Sequence, residues 1–124
     1  MSDDAGGVVE KLFDLLSVRD WDGFRSLLSP RVERTGAMGE RLVGRDAYVE
    51  LMAGPQPESD DAGQRTTWEV HRIVYGPDAR SAFARVTARV PRPGGELQIE
   101  QTLAFTIDAD GLIAGVEVFW RDPR

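Results

Sequence analysis

The spacing of hydrophobic positions along this chain changes once, from a helical period to a strand period. Val8, Val9, Leu12, Phe13, Leu15 and Leu16 recur at three- and four-residue steps, as one face of a helix does. They predict a helix over about Ala5–Val18, with Lys11 and Asp14 on its wet side. Asp20 stands where an N-cap belongs. A second helical set follows, Trp21, Phe24, Leu27 and Leu28, closed by Ser29-Pro30. After a short extended piece, "RVERTG", and a glycine-rich turn, "GAMGE", the stretch "GRDAYVELM" predicts a brief third helix with Ala47, Tyr48, Leu51 and Met52 inside. The next stretch, Ala53 to Gly63, is rich in Pro, Gly and acids and reads as a loop, either a solvated connector or a lid.

From Thr66 onward the period is two. Strands are predicted at about Thr66–Tyr75, Arg80–Val90, Glu96–Ile107 and Leu112–Trp120, joined by "GPDA", "PRPGG" and "DADG". Ala82, Ala84, Val86, Ala88 and Val90 share one face of the second strand, as Leu97, Ile99, Gln101, Leu103, Phe105 and Ile107 do in the third. In the last strand Leu112, Ala114, Val116, Val118 and Trp120 oppose Ile113, Glu117 and Phe119. The outer faces carry charge and two aromatics, Phe83 and Phe119, a candidate homodimer surface. Val70, Ile73 and Val74 break the alternation of the first long strand, as a bulge would, which leaves the direction of His71 and Arg72 open. Helices followed by long strands mean α+β. The expected architecture is three N-terminal helices packed in the concave face of a curved, mainly antiparallel sheet, a cone-shaped α+β barrel. Residues 1–6 are expected to be a flexible N-terminus and residues 7–124 a single domain.

Composition narrows the chemistry. The 124 residues contain no cysteine and one histidine, so thiolate chemistry is excluded and a zinc centre is not expected. The net charge of −6 argues against nucleic acid, which needs a basic footprint. No apolar run approaches membrane-spanning length, and the acidic start, "MSDDAGG", lacks the layout of a signal peptide. A cytoplasmic protein with no cofactor, metal, nucleic-acid or membrane partner is the expectation. "DADG" opens like a calcium loop, but the twelfth position from Asp108 holds Phe119 instead of a glutamate.

The stretches "LSVRDWDGFRSLLSP", "LVGRDAYVELM" and "FTIDADGLIAGVEVFW" together resemble the nuclear transport factor 2-like superfamily, which includes ketosteroid isomerases and SnoaL-like polyketide cyclases. The resemblance covers nearly the whole chain. It implies a cone of sheet and helices with a pocket between them, and dimers formed through the outer sheet. It does not carry over a mechanism. The isomerase base falls at Gly36 or Thr35, the oxyanion tyrosine at Leu12, the supporting tyrosines at Leu28 and Met52, and the acid at Leu103. None of these can do the corresponding chemistry, and only the pocket tryptophan matches, as Trp120. The cyclase aspartate falls at Val118, beside an outward Glu117.

One residue stands out from the periodicity itself. Gln101 lies on the apolar face of its strand between Ile99 and Leu103, and an amide buried without a partner costs about 1–3 kcal/mol. It is either tied to neighbouring protein groups, turned outward by a bulge, or exposed to a pocket. The pocket reading makes Gln101 and Tyr48 orienting groups and Trp120 a stacking wall, with Met52, Leu103 and Val118 as apolar lining. The ligand is then a small apolar or aromatic molecule. The alternative is an isomerase, cyclase or hydrolase using a non-standard acid–base pair, with His71, Arg34 and Glu33 as candidates. Arg34 enters the interior if Val32 is core, whereas the other register brings in Glu33 and Thr35.

Overall fold

Helix α1 (Asp4–Ser17) turns Val8, Val9, Leu12, Phe13 and Leu16 into the core. The computed structural model describes the backbone of residues 4–53, 66–78, 80–92 and 94–121, and the side chains of these apart from 4–6, 92, 120 and 121. The start of the N-terminal segment and almost all of the acidic loop after Ala53 lie outside the described residues.

The end of α1 is tied off locally. Arg19 N–H donates to the Leu16 carbonyl at 3.2 Å and Asp20 N–H to that of Leu15 at 3.0 Å, a Schellman arrangement that satisfies the last carbonyls of the helix. Arg19 is thereby held at φ 59°, in the left-handed region. Glycine is the usual residue there, because a Cβ is strained at positive φ. Asp20 then caps α2 (Trp21–Ser26), its Oδ1 accepting the Gly23 N–H at 3.0 Å.

Helix α2 is shorter than the Trp21–Leu28 pattern suggests. Leu28 already belongs to β1 (Leu28–Thr35), pairing with Ile113. A buried strand start and the last turn of an apolar helical face look alike by spacing. Pro30 lies in the strand where the pairing register shifts, between Leu28 and Glu33, as befits a residue with no N–H to give to a ladder. The hairpin partner β2 (Arg41–Val43) and helix α3 (Arg45–Ala53) complete the first half.

The second half is β3 (Thr67–Tyr75), β4 (Ser81–Arg92), β5 (Gly95–Ile107) and β6 (Ile113–Arg121). The six strands form one sheet in the order β2-β1-β6-β5-β4-β3. All neighbours are antiparallel except β1 and β6, so the sheet is mixed, and β2 and β3 leave its edges open instead of closing a barrel. The class is α+β, as the periodicity predicts.

Two bulges decide which side chains face in. In β3 the register passes from Val70↔Val86 to Arg72↔Arg85, so His71 is the extra residue and lies with Glu69 and Arg72 on the outer face. In β6 it passes from Thr106↔Gly115 to Ile107↔Ile113, with Ala114 extra. This corrects the simple alternation, which turns Ile113 outward: the bulge returns it to the core, where it is fully buried. Phe13 meets Phe105 edge-on at 6.4 Å between centroids, joining α1 to the sheet.

Arg19 offers a test of the helix terminus. Arg19→Gly is expected to leave stability unchanged or raise it by up to about 1 kcal/mol. Arg19→Val, β-branched at a positive φ, is expected to lower it by about 1–2 kcal/mol. Urea denaturation of the two variants measures both.

Candidate functional site

The inner face of the sheet is not covered evenly. Along β5 burial falls from Ile107, Phe105 and Leu103, all buried, to Gln101, Ile99 and Leu97, all half-exposed. Along β4 it falls from Ala82 and Ala84 to Val90. Where the cover thins, a cavity of about 360 Å³ opens between the end of α1, α3 and the inner faces of β1, β3, β4 and β5. Its apolar wall comes from Leu16, Leu51, Met52, Trp68, Ala88, Val90 and Ile99, and its polar groups are Arg19, Arg34, Glu40, Thr66 and Gln101. That is a volume and composition typical of small-molecule sites.

Gln101 therefore sits at the point where core becomes cavity. Strand pairing sets it between Val86 of β4 and Trp120 of β6. Among the described residues its amide has no hydrogen-bond partner, in contrast to Gln98 on the outer side, which donates to Glu96 at 3.0 Å.

Arg34 reaches the cavity because β1 takes the register in which Val32 is core, with 0 % exposure. Glu33 accordingly faces out, paired with Arg41 at 2.6 Å, on the rim of a shallow outer recess shared with Thr35, Thr106 and Glu117. Tyr48 is buried, at 4 % exposure, and does not reach the cavity wall. It lies behind Arg34 and against Phe24, 5.6 Å between ring centroids. Burial pushes its hydroxyl up to about 12, and the Arg34 guanidinium beside it, acting by charge and as a hydrogen-bond donor, pulls the other way.

Leu103 and Val118 belong to the closed core rather than to the cavity wall, because they lie on the well-covered part of the sheet. Met52 lines the cavity from α3. The backbone of Trp120 pairs with Gln101, but its side chain lies outside the described residues.

His71 is on the other side of the sheet, placed there by the β3 bulge. Its Nε2 is 2.7 Å from Thr87 Oγ1, and the Thr87 hydroxyl donates to Glu100 Oε2 at 2.9 Å. With its hydroxyl proton given to the Glu100 carboxylate, Thr87 Oγ1 is left as an acceptor for an N–H at His71 Nε2. His71 Nδ1 lies 4.0 Å from Glu69, which shares Arg89 with Glu96 on the outer face. The Arg89 hydrogen bond holds the Glu69 carboxyl below its ordinary range, and hydrogen bonds from Gln98 and then Arg89 do the same for Glu96.

Periodicity alone did not mark Arg19, Glu40, Thr66 or Trp68 as cavity residues. Arg19 carried one signal, a non-glycine residue directly after a helix, and Trp68 was hidden by the broken alternation of its strand. Glu40 supplies the sole carboxylate of the lining among the described residues, and its Oε1 is engaged by the Met38 N–H at 3.1 Å. As built, the site can bind and orient, through two guanidinium groups and an amide.

The chain matches the SnoaL-like domain over residues 9–116 and belongs to that family. No curated protein matches it. Among solved structures, it is similar to a protein of unknown function with cystatin-like fold from Methylobium petroleophilum PM1. That match has a TM-score of 0.80 and 14 % identity, and covers 100 % of this chain and 80 % of the other. An LEH-like epoxide hydrolase from M. tuberculosis is similar at TM-score 0.75 and 21 % identity, over 95 % and 83 %. Rv0760c from Mycobacterium tuberculosis, solved in complex with estradiol-17beta-hemisuccinate, is similar at TM-score 0.76 and 14 % identity, over 95 % and 94 %. These likenesses establish the nuclear transport factor 2-like fold.

The Tyr48 hydroxyl gives the folded state a measurable alkaline limit. Its folded value of about 12 lies above the ordinary 10.0, so the folded chain keeps a proton that the unfolded chain releases. The associated stability is fully present below about pH 10 and is lost as pH rises toward about 12. A displacement of two units corresponds to about 2–3 kcal/mol. Tyr48→Phe is expected to reduce the fall in thermal midpoint over that window, as followed by circular dichroism, relative to wild type.

Proposed function

We propose that this chain is a small-molecule-binding SnoaL-like domain whose ligand occupies the cavity between α3 and the inner faces of β4 and β5. The observation that carries the reading is Gln101, an amide without a hydrogen-bond partner among the described residues, at the edge of an apolar-walled cavity of about 360 Å³. Gln101 is the orienting group for a ligand carbonyl or hydroxyl. Tyr48 acts indirectly, as a positioning residue behind Arg34. Met52, Trp68 and Ile99 supply the contact surface. The estradiol-17beta-hemisuccinate in the related mycobacterial structure, whose body is an apolar steroid, supports an apolar-walled ligand site on this scaffold. An isomerase, cyclase or hydrolase would need an acid or base inside the cavity, and Glu40 is the residue there to substitute first.

A neutral fluorescent probe, N-phenyl-1-naphthylamine, tests the cavity. Its emission is expected to rise on binding wild type, and Val90→Trp, which fills the cavity, is expected to weaken binding at least about tenfold. Gln101→Leu is expected to retain the probe while weakening its displacement by 2-decanone by about fivefold, one lost hydrogen bond. Equal probe binding in wild type and Val90→Trp would place the ligand elsewhere.

We also propose a homodimer formed through the outer sheet face. Phe83 and Phe119 are 51 % and 47 % exposed. Both lie on that face, Phe83 beside Val74 across β3–β4 and Phe119 beside Thr102 across β5–β6. Sedimentation velocity is expected to show a dimer for wild type and a monomer for the Phe83→Glu variant; a wild-type monomer contradicts the proposal.

A further inference from the structure

Among the described residues the charge on the polar side of the cavity is mainly positive. Arg34 and Arg19 both reach it, one from the inner face of β1 and one from the end of α1. Among the described residues neither has a carboxylate at ion-pair distance, whereas Arg25, Arg41 and Arg89 are each paired with one. Among the described lining residues Glu40 is the remaining charged group, which leaves one positive charge in excess there. This runs against the chain as a whole, which carries a net charge of −6.

The placement of both arginines is costly for a merely structural role. Arg34 shares its strand face with fully buried Val32, so its guanidinium is drawn to the core side although the same strand has a solvated face. Arg34 is half-exposed there, and whatever hydration it gives up to the core side has to be replaced by a partner. Tyr48, buried behind it, favours one position of the group. Arg19 occupies a backbone position at φ 59° that glycine fills at lower cost, and its guanidinium carbon is 5.2 Å from the centroid of the Trp21 ring, which steadies it. A guanidinium presents parallel N–H donors that match the two oxygens of a carboxylate. Facing them across the cavity are apolar side chains, Trp68 and Ile99 among them.

We propose that the cavity selects an amphipathic carboxylic acid, with its carboxylate on Arg34, Arg19 adding charge at the mouth, and its hydrocarbon body along the apolar wall. The proposal rests on the reading of this cavity as the ligand site. Arg34 is the specificity-determining residue, and Gln101 is left to pair with a second polar group further along the ligand.

The experiment is displacement of bound N-phenyl-1-naphthylamine by decanoate and by 1-decanol, which share a chain and differ in the charged head. Decanoate is expected to displace the probe at least about tenfold more strongly than the alcohol, with the preference shrinking as salt is raised. Arg34→Leu is expected to abolish that preference and Arg34→Lys to keep part of it. Arg19→Gly, which suits the local backbone, is expected to reduce the preference several-fold with the fold intact, so the test survives if Arg34→Leu does not fold. Equal displacement by acid and alcohol in wild type overturns the proposal, as does a preference unchanged in both Arg34→Lys and Arg19→Gly. Both of those results presuppose a bound probe and leave the cavity reading standing. A wild-type protein that binds no probe overturns the cavity reading and this proposal together.

Discussion

The long strands of the sheet outrun the helices that cover them, and the cavity is the result. Helix α1 has 14 residues and β5 has 13. At about 1.5 Å per helical residue and about 3.4 Å per strand residue, the strand is roughly twice as long. Hydrophobic cover from α1 therefore seals only one end of the inner face, where Phe13 meets Phe105. Toward the other end the same inward parity continues through Gln101 and Ile99, and the side chains there meet space instead of a helix. Helix α3, of 9 residues, borders that space through Leu51 and Met52 without filling it.

Within this frame the chemistry is assigned by single-residue irregularities. A strand residue faces the opposite way if one residue is inserted before it. The extra residue His71 in β3 places the chain's one histidine on the outer face, in a hydrogen-bonded line with Thr87 and Glu100. The break around Pro30 in β1 leaves Val32 and Arg34 facing inward and Glu33 outward. The result is a division of labour between the two faces of one sheet. Paired charges and exposed aromatics lie outside, and inside, beside apolar walls, lie two arginines with no carboxylate at ion-pair distance among the described residues.

That division explains why residues typical of catalysis did not converge. His71 and Glu33 are on the outer side of the sheet, on strands far apart in its order, while the described cavity lining holds two guanidinium groups, an amide, a hydroxyl and one carboxylate, that of Glu40. Guanidinium groups and an amide recognise and hold a ligand, and near neutral pH they do not exchange protons with it. The buried Tyr48 hydroxyl is neutral over the same range, its proton held more firmly than in water. Binding is accordingly the function that this arrangement supports best.

Much of the architecture was legible in the sequence. The switch from helical to alternating periodicity located the helices and the four long strands, and the single anomalous amide, Gln101, pointed to the place where the core stops. Local patterns carry such information because each side chain's direction follows from its own segment's period. The register of β1, the outward turn of His71, the return of Ile113 to the core and the inclusion of Arg19 and Trp68 in the cavity were decided by tertiary structure. Each depends on which strand pairs with which, and on where an extra residue is absorbed, and these are settled between segments far apart in the chain. A bulge leaves little trace in composition, yet it reverses the facing of every later residue in its strand. The sequence by itself thus determined the elements and their apolar faces, while the packing of short helices on long strands decided where those faces part to form a site.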